Sequence, residues 1–313
     1  MRPAVTLGVY AAALAAVFAA AVGVGNAVGP VGTAAGSDRA HAGSAGHSAA
    51  GKDEAPSAAD LAPGGLAVSQ DGYTLSPAGT TFPVGAATFR FTIDGPDGRP
   101  LTDYTREHEK DLHLIVARRD LTGYQHVHPD RAPDGTWSVP LSFGQPGAYK
   151  AYADFVPAGR DRPLTLAVDL TVPGAYAPAP LPQDSTTTTV DGYDVSLDGA
   201  LVAGTSSRLM FDVAQQGRPV RDLQPHLGAY GHLVALREGD LAYLHVHPDG
   251  ELGAPGTEPG PEVTFFADVP SAARYRLFLD FRHGDVVRTA ALTATAARSG
   301  ERATDDADSP HDH

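Results

Sequence analysis

Short runs of alternating apolar and polar residues follow one another from about residue 64 to residue 297. In the runs 89–93, 137–143 and 149–155 every second residue is apolar. A period of two residues is typical of a strand with one buried face. Turn residues such as Asp94-Gly95-Pro96 separate the runs, and no part of this region shows the 3.6-residue period of a helix. The pattern therefore predicts an all-β fold.

The pattern occurs twice in the chain. Asp71-Gly72-Tyr73 recurs as Asp191-Gly192-Tyr193, and the strand pattern that follows keeps its order in both copies. Each copy has about seven short strands in roughly 110 residues, which is typical of an immunoglobulin-like sandwich. We predict two tandem immunoglobulin-like β-sandwich domains, at 64–174 (the first repeat) and 185–297 (the second repeat), joined by a proline-rich linker at 175–184.

The two ends of the chain differ from the repeats in composition. Residues 1–30 are almost continuously apolar, which predicts a helix that acts as a signal peptide or a membrane anchor. The run is longer than the apolar part of most signal peptides, and this favours an uncleaved single-pass anchor over secretion. Both alternatives place the repeats in an extracytoplasmic location. Residues 31–63 predict a disordered linker, and 298–313 an acidic, histidine-containing tail.

Composition narrows the possible chemistry. The chain has 23 lysines and arginines against 37 acidic residues, a net charge of −14, so nucleic acid is not expected as a partner. It has no cysteine and two methionines, which excludes disulfides, thiolate metal sites and cysteine nucleophiles. Any bound metal must therefore be held by histidine, carboxylate or backbone oxygen.

Three histidines occupy matching positions in each copy, the second and third following the first by 13 and 15 residues. They are His113, His126 and His128 in the first repeat and His232, His245 and His247 in the second. A hairpin turning at Asp120-Leu121 would put the first histidine opposite the third, and Gly239-Asp240 gives the second copy the same register. Opposed residues and residues two apart on a strand share a face. The spacing therefore predicts a histidine triad in each repeat that binds copper(II) or zinc(II).

Other residues near the triads extend this prediction. His108 and His226 lie in loops before the first histidines and are candidates for a further ligand or for solvated side chains. Asp154 and Asp280 lie in matching strands, where a carboxylate can ligate a metal, orient a histidine through its second nitrogen, or cap a loop. A different interpretation is that the histidines are structural and close the end of a sandwich core.

The motif resembles that of a largely uncharacterised group of actinobacterial secreted or membrane-anchored proteins. Their signature is His-Leu-Ile-Val-x-Arg-x-Asp-Leu, then Tyr or Phe, then His-x-His-Pro, which here spans His113 to Pro129 and recurs from His232 to Pro248. The resemblance implies association with heavy metals. The second copy departs from the signature at Arg237-Glu238-Gly239, so we expect the two sites to differ in affinity.

Three function classes remain. The sequence favours a non-catalytic extracytoplasmic protein that binds a divalent transition metal for sequestration or handling. The alternative is a cell-surface or envelope interaction module with structural histidines and a protein partner that the sequence does not specify. The third is a copper-dependent, dismutase-like enzyme, because such enzymes and this chain both have a His-x-His sequence on a sandwich strand. The chain shows no Ser-His-Asp arrangement, phosphate loop or paired-carboxylate signature, and we expect it not to be an enzyme.

Overall fold

A computed structural model describes residues 63–244, 246–250 and 252–299, and in these ranges all regular secondary structure is β. No helix lies in the described part, so none there is long and apolar enough to cross a membrane. The segment predicted at 1–30 lies outside the described residues, as do nearly all of the predicted linker at 31–63 and most of the tail at 298–313. The predicted all-β class is confirmed.

The first repeat has ten strands in two antiparallel sheets. They are β1 (Ser69–Gln70), β2 (Tyr73–Pro77), β3 (Gly85–Asp94), β4 (Tyr104–Thr105), β5 (His113–Arg118), β6 (Gln125–Val127), β7 (Asp130–Arg131), β8 (Trp137–Phe143), β9 (Gly147–Pro157) and β10 (Leu164–Val172). One sheet has the order β1-β2-β3-β8-β7. The other has the order β10-β9-β5-β6, and β4 pairs with β9.

The second repeat also has ten strands. They are β11 (Thr187–Val190), β12 (Tyr193–Asp198), β13 (Thr205–Gln215), β14 (Arg218–Pro219), β15 (Gly231–Arg237), β16 (Tyr243–Leu244), β17 (Val246–Pro248), β18 (Glu262–Val269), β19 (Arg274–His283) and β20 (Val286–Thr295). One sheet has the order β11-β12-β13-β18-β17, with β14 on β13, and the other β16-β15-β19-β20. The two repeats therefore share one sandwich topology, as predicted.

Each sandwich encloses a core of its own, because the alternating residues of both sheets point inward. In the first repeat β3 buries Phe89, Phe91 and Ile93, and β8 buries every second residue from Trp137 to Phe143. The equivalent strands of the second repeat supply Phe211 and the other residues of a separate core. Removal of this apolar surface from water is the main term that stabilises such a fold.

A third apolar cluster lies between the two repeats. All residues of β5 are buried, because Leu114 and Val116 point into the first core while Ile115 and Ala117 point away from it. On the side away from the core they pack against residues of the second repeat. The cluster consists of Ile115, Ala117, Leu121, Tyr152 and Ala167 of the first repeat with Val234, Leu236, Leu241, Tyr243 and Phe278 of the second. We call it the inter-repeat cluster.

Two aromatic pairs cross the contact between the repeats, and each corresponds to the other when the repeats are exchanged. The rings of Tyr124 and Phe278 stack with centroids 4.0 Å apart. At the corresponding positions with the repeats exchanged, Tyr243 and Tyr152 lie 5.9 Å apart. The Tyr152 hydroxyl also donates to the Leu241 carbonyl at 2.7 Å. The contact thus has approximate two-fold symmetry within one chain.

The linker is held against the first repeat by a buried ion pair. Arg118, whose side chain is 2% exposed, bonds Asp120 at 2.5 Å and donates to the Ala177 carbonyl at 2.7 Å. The Asp120 carboxylate also accepts from the Ala179 backbone N–H at 2.8 Å. These bonds fix the path of the chain between the repeats.

Candidate metal centre

The first histidine triad lies on the sheet face that carries the inter-repeat cluster. Leu114 pairs with Val127 and Ile115 with His126, which is the register that the sequence predicts. His126 therefore shares the face of Ile115, and His128, just beyond the end of β6, continues toward His113 at the start of β5.

The turn that produces this register differs from the predicted one by one residue. Leu121 donates from its N–H to the Arg118 carbonyl at 2.8 Å, so Arg119 and Asp120 are the central residues of the turn. Leu121 follows with a φ of 62°, and its buried side chain joins the inter-repeat cluster. Arg118 also donates from its N–H to the Thr122 carbonyl at 2.8 Å, so Leu121 is one extra residue in the second strand, and another between Thr122 and β6 restores the predicted pairing. The packing of Leu121 explains why the turn forms where it does.

The ligand atoms of the first triad converge. His113 Nδ1 lies 3.1 Å from His126 Nε2 and 3.0 Å from His128 Nε2. One nitrogen from each of the three rings lies within 4.8 Å of the others. The ring centroids are 4.8–5.4 Å apart. The three rings thus form a compact set of nitrogen donors.

The outer nitrogens of two of these rings are held by acceptors. His113 Nε2 donates to the Glu107 carbonyl at 3.1 Å, and His126 Nδ1 donates to Asp280 Oδ2 at 2.9 Å. A carbonyl and a carboxylate only accept, so the protons of the neutral rings lie on these outer nitrogens. In these neutral tautomers the lone pairs of His113 Nδ1 and His126 Nε2 point toward each other.

Asp280 belongs to the second repeat but acts on a histidine of the first. It is 3% exposed and also accepts from the hydroxyls of Tyr124 and Thr289. Of the three roles that the sequence left open for the strand aspartates, Asp280 takes the one that orients a histidine. The sequence did not indicate that this histidine is in the other repeat.

Burial keeps the imidazoles of His113 and His128 neutral. Desolvation, together with the neighbouring His126, lowers the pKa of His113 to about 2. The same two causes lower the pKa of His128 to about 3. A neutral imidazole is the form that binds a metal ion, so these rings need not lose a proton to do so near neutral pH.

The second copy is arranged differently in the part that the structure describes. His232, at the start of β15, is buried, and its Nε2 donates to the His226 carbonyl at 2.8 Å. His247 is exposed on β17, which pairs with β18 in the opposite sheet. His245 lies outside the described residues. Within those residues, the first triad is the group of three metal-ligating side chains whose atoms converge.

The other candidate residues surround the same region. The His108 ring lies 5.1 Å from that of His232, and the His226 ring lies 6.0 Å from it. Asp154 accepts from the Thr165 hydroxyl at 2.7 Å, and its burial raises the pKa of its carboxyl group to about 6. Histidines from both repeats also line a cavity of about 80 Å³ beside the triad.

His283, the remaining histidine of the second repeat, serves a different purpose. Its Nδ1 lies 2.7 Å from the Tyr193 hydroxyl and its Nε2 lies 3.1 Å from Asp222 Oδ1. It joins the end of β19 to the start of β12 and to Asp222 of its own repeat, and it has no part in the triad.

Comparison with known proteins identifies a family for the repeats. Residues 67–173 and 188–298 each match one family, described as a domain of unknown function (DUF8832). No curated protein matches the chain.

Similar solved structures include InvD of Yersinia pseudotuberculosis, which is 12% identical with a TM-score of 0.23 over 74% of this chain and 58% of that chain. A mutant α2-macroglobulin from Salmonella is 12% identical, with a TM-score of 0.26 over 78% and 16%. The bacterial integrin-binding protein invasin is 12% identical, with a TM-score of 0.21 over 72% and 39%. The chain spans less than two thirds of each of these proteins, and at such TM-scores the likeness carries no argument about function.

Proposed function

The chain belongs to the DUF8832 family through both of its repeats, and we propose that it binds copper(II) or zinc(II) at His113, His126 and His128. In this proposal the protein handles or sequesters the metal outside the cytoplasm and catalyses no reaction. The resemblance of the motif to heavy-metal-associated proteins supports the same function.

The convergence of the imidazole lone pairs carries the proposal. With the outer nitrogens bonded to Glu107 and Asp280, the neutral rings turn His113 Nδ1 and His126 Nε2 toward each other as acceptors 3.1 Å apart. His128 Nε2 lies 3.0 Å from the same His113 atom. A metal ion bound between these nitrogens accepts their lone pairs together. Nitrogen ligands at about 2.0–2.1 Å from a tetrahedral ion are separated by about 3.3–3.4 Å. The observed spacing is close to that value, so the donor set fits such an ion.

The chemistry of the donors limits the choice of ion. Three neutral imidazoles without sulfur suit copper(II) and zinc(II), and copper(II) binds the same donors more tightly. Magnesium and calcium prefer oxygen ligands, which this triad does not supply. Asp280, next to His126, compensates part of the charge of a divalent cation.

Calorimetric titration of the purified full chain with copper(II) and with zinc(II) tests the proposal. We expect a double variant, His126→Ala with His128→Ala, to lose the tight site, because one remaining imidazole cannot chelate an ion. His283→Ala is the matched control and should bind as the wild type does, since this ring lies outside the triad.

Unchanged stoichiometry and affinity in the double variant would refute the proposal. If the wild type binds neither ion and the double variant loses its fold, the histidines are structural. The cell-surface interaction module is then the better interpretation.

A further inference from the structure

The second repeat presents a fourth imidazole to the first triad. The His232 ring centroid lies 6.0 Å from that of His126 and 6.4 Å from that of His113. Four imidazoles around a tetrahedral ion have ring centroids about 5 Å apart, given metal–nitrogen distances of about 2.0–2.1 Å. His232 is therefore about one ångström farther away than a ligand would be. Side-chain adjustment on binding commonly covers such a distance.

The hydrogen bonding of His232 leaves the required nitrogen available. Its Nε2 donates to the His226 carbonyl, as His113 Nε2 donates to the Glu107 carbonyl. The lone pair of the neutral ring is consequently on Nδ1 in both residues, and it is His113 Nδ1 that contacts the other two rings of the triad. His232 thus has the same tautomer as His113.

Asp280 lies beside both histidines. It is the direct partner of His232 in the ladder between β15 and β19, and its carboxylate bonds His126 Nδ1. His126 and His232 therefore lie next to the same buried carboxylate. The aromatic stack of Tyr124 on Phe278 holds the two repeats together near this point.

We propose that His232 is the fourth ligand of the ion held by His113, His126 and His128. This inference rests on the proposed function and specifies the site further. The chain then holds one tightly bound ion across its two repeats, in contrast to the two separate sites that the sequence predicts. A tetrahedral ion such as zinc(II) with four nitrogen ligands has no position left for a substrate or a reactive water, which agrees with a protein that handles metal without catalysis.

Copper(II) added to the purified full chain provides the test, read by calorimetric stoichiometry and by pulsed electron paramagnetic resonance, which counts coordinated imidazoles. The wild type should bind one tight copper(II) per chain through four imidazoles. In His232→Gln the side-chain amide can still donate to the His226 carbonyl, but the imidazole lone pair is removed. We expect three coordinated imidazoles and an affinity lower by about tenfold or more, which corresponds to about 1.4 kcal/mol. His283→Ala is again the control and should match the wild type.

The wild-type spectrum decides the inference even if the His232 variant does not fold. Three coordinated imidazoles in the wild type, or two tight copper(II) ions per chain, would overturn it and leave the proposed function intact. Unchanged binding in folded His232→Gln would also overturn it. Unchanged binding in the double variant at His126 and His128 would instead overturn the proposed function, and this inference with it.

Discussion

The hydrogen bonds on the outer side of the imidazoles determine what the triad can do. Glu107 and Asp280 fix the tautomers of His113 and His126, and each leaves the inner nitrogen as a lone pair. Partners of this kind orient a ligand ring and make it more basic. Asp280 is therefore expected to matter for the proposed metal binding through its hold on His126.

Replacement of Asp280 by Asn should weaken metal binding at the triad by about 10–100-fold, because the amide loses the charge that holds and polarises His126. The measurement is calorimetric titration of the full chain with copper(II). Asp212→Asn, on the exposed face of β13 in the same repeat, is the control and should leave affinity unchanged. Equal affinities in wild type and Asp280→Asn would show that the carboxylate plays only a structural part.

The buried imidazoles should also make the metal-free protein sensitive to acid. The folded-state pKa values of His113, His128 and His232 are lowered to about 2, 3 and 4, in each case mainly by burial. The unfolded chain takes up protons below a pKa of about 6.5, whereas the folded chain does so only at these lower values. The three neutral rings therefore make their full contribution to the free energy of unfolding above pH 6.5. That contribution is lost as pH falls from 6.5 toward 4, because protons then bind to the unfolded chain.

Asp154 acts in the opposite direction. Its pKa is raised to about 6 by burial, so its contribution becomes more favourable as pH falls from 6 to 4. We expect the three imidazoles to outweigh the one carboxyl group. The urea midpoint of the metal-free chain should fall between pH 7 and pH 4, and less steeply in His113→Gln, which lacks one of the titrating rings. If the urea midpoint falls equally steeply with pH in the wild type and in His113→Gln, this assignment is wrong.

Among the secondary-structure elements, β5 and β15 show most clearly what the sequence could and could not predict. Alternation in the other strands and the spacing of the histidines were sufficient to predict the sandwiches and the pairing of Ile115 with His126. The apolar run Leu114 to Ala117 has no polar face, which is a signal that both faces are buried. Nothing local identifies the surface that covers the second face. The contact of Asp280 with His126 joins residues 154 positions apart and depends on how two finished domains dock, which no short pattern encodes.

The segment just before β1 is a second element that joins the repeats. Gly64 forms a two-way backbone bridge with Tyr243, and Gly65 follows with a φ of 67° beneath the Tyr152 ring. A Cβ at Gly65 would lie 2.5 Å from that ring, which is fully buried and bonded through its hydroxyl to Leu241. The ring therefore has no room to move.

Gly65→Ala should destabilise the chain by about 1–3 kcal/mol, from the left-handed backbone strain together with the clash. Urea unfolding of the full chain measures this loss. Gly79→Ala is the matched control, since a Cβ there meets nothing within 4 Å, and its midpoint should stay at the wild-type value. An equal midpoint for Gly65→Ala would mean that this segment does not hold the repeats together.

At the scale of the whole molecule, the inter-repeat cluster should make the two sandwiches unfold together. It contains ten buried side chains contributed by both repeats, with two aromatic pairs and backbone bonds across the contact. Loss of one repeat would expose this surface on the other. Stability measured in one repeat is therefore expected to depend on residues of the other.

Trp137, the single tryptophan, lies in the core of the first repeat and reports on that repeat alone. Phe278→Ala changes the second repeat, yet it should lower the urea midpoint measured by Trp137 fluorescence. The shift should correspond to a loss of about 3 kcal/mol in the free energy of unfolding. Val286→Ala, at an exposed position of the same repeat, should not shift it. If Phe278→Ala leaves the Trp137 transition in place, the repeats unfold independently.

The approximate two-fold symmetry of the inter-repeat contact has a consequence for assembly. The first repeat of one chain fits the second repeat of another copy through the same Tyr124–Phe278 and Tyr152–Tyr243 pairs as it fits its own. The linker, which Arg118 and Asp120 hold in place, keeps the two repeats of one chain close together. This proximity favours the contact within a single chain over the same contact between two chains. If the linker bonds opened at high protein concentration, the repeats would be free to exchange reciprocally between two chains. The expected product would be a domain-swapped dimer in which the carboxylate of Asp280 serves the histidines of a neighbouring molecule.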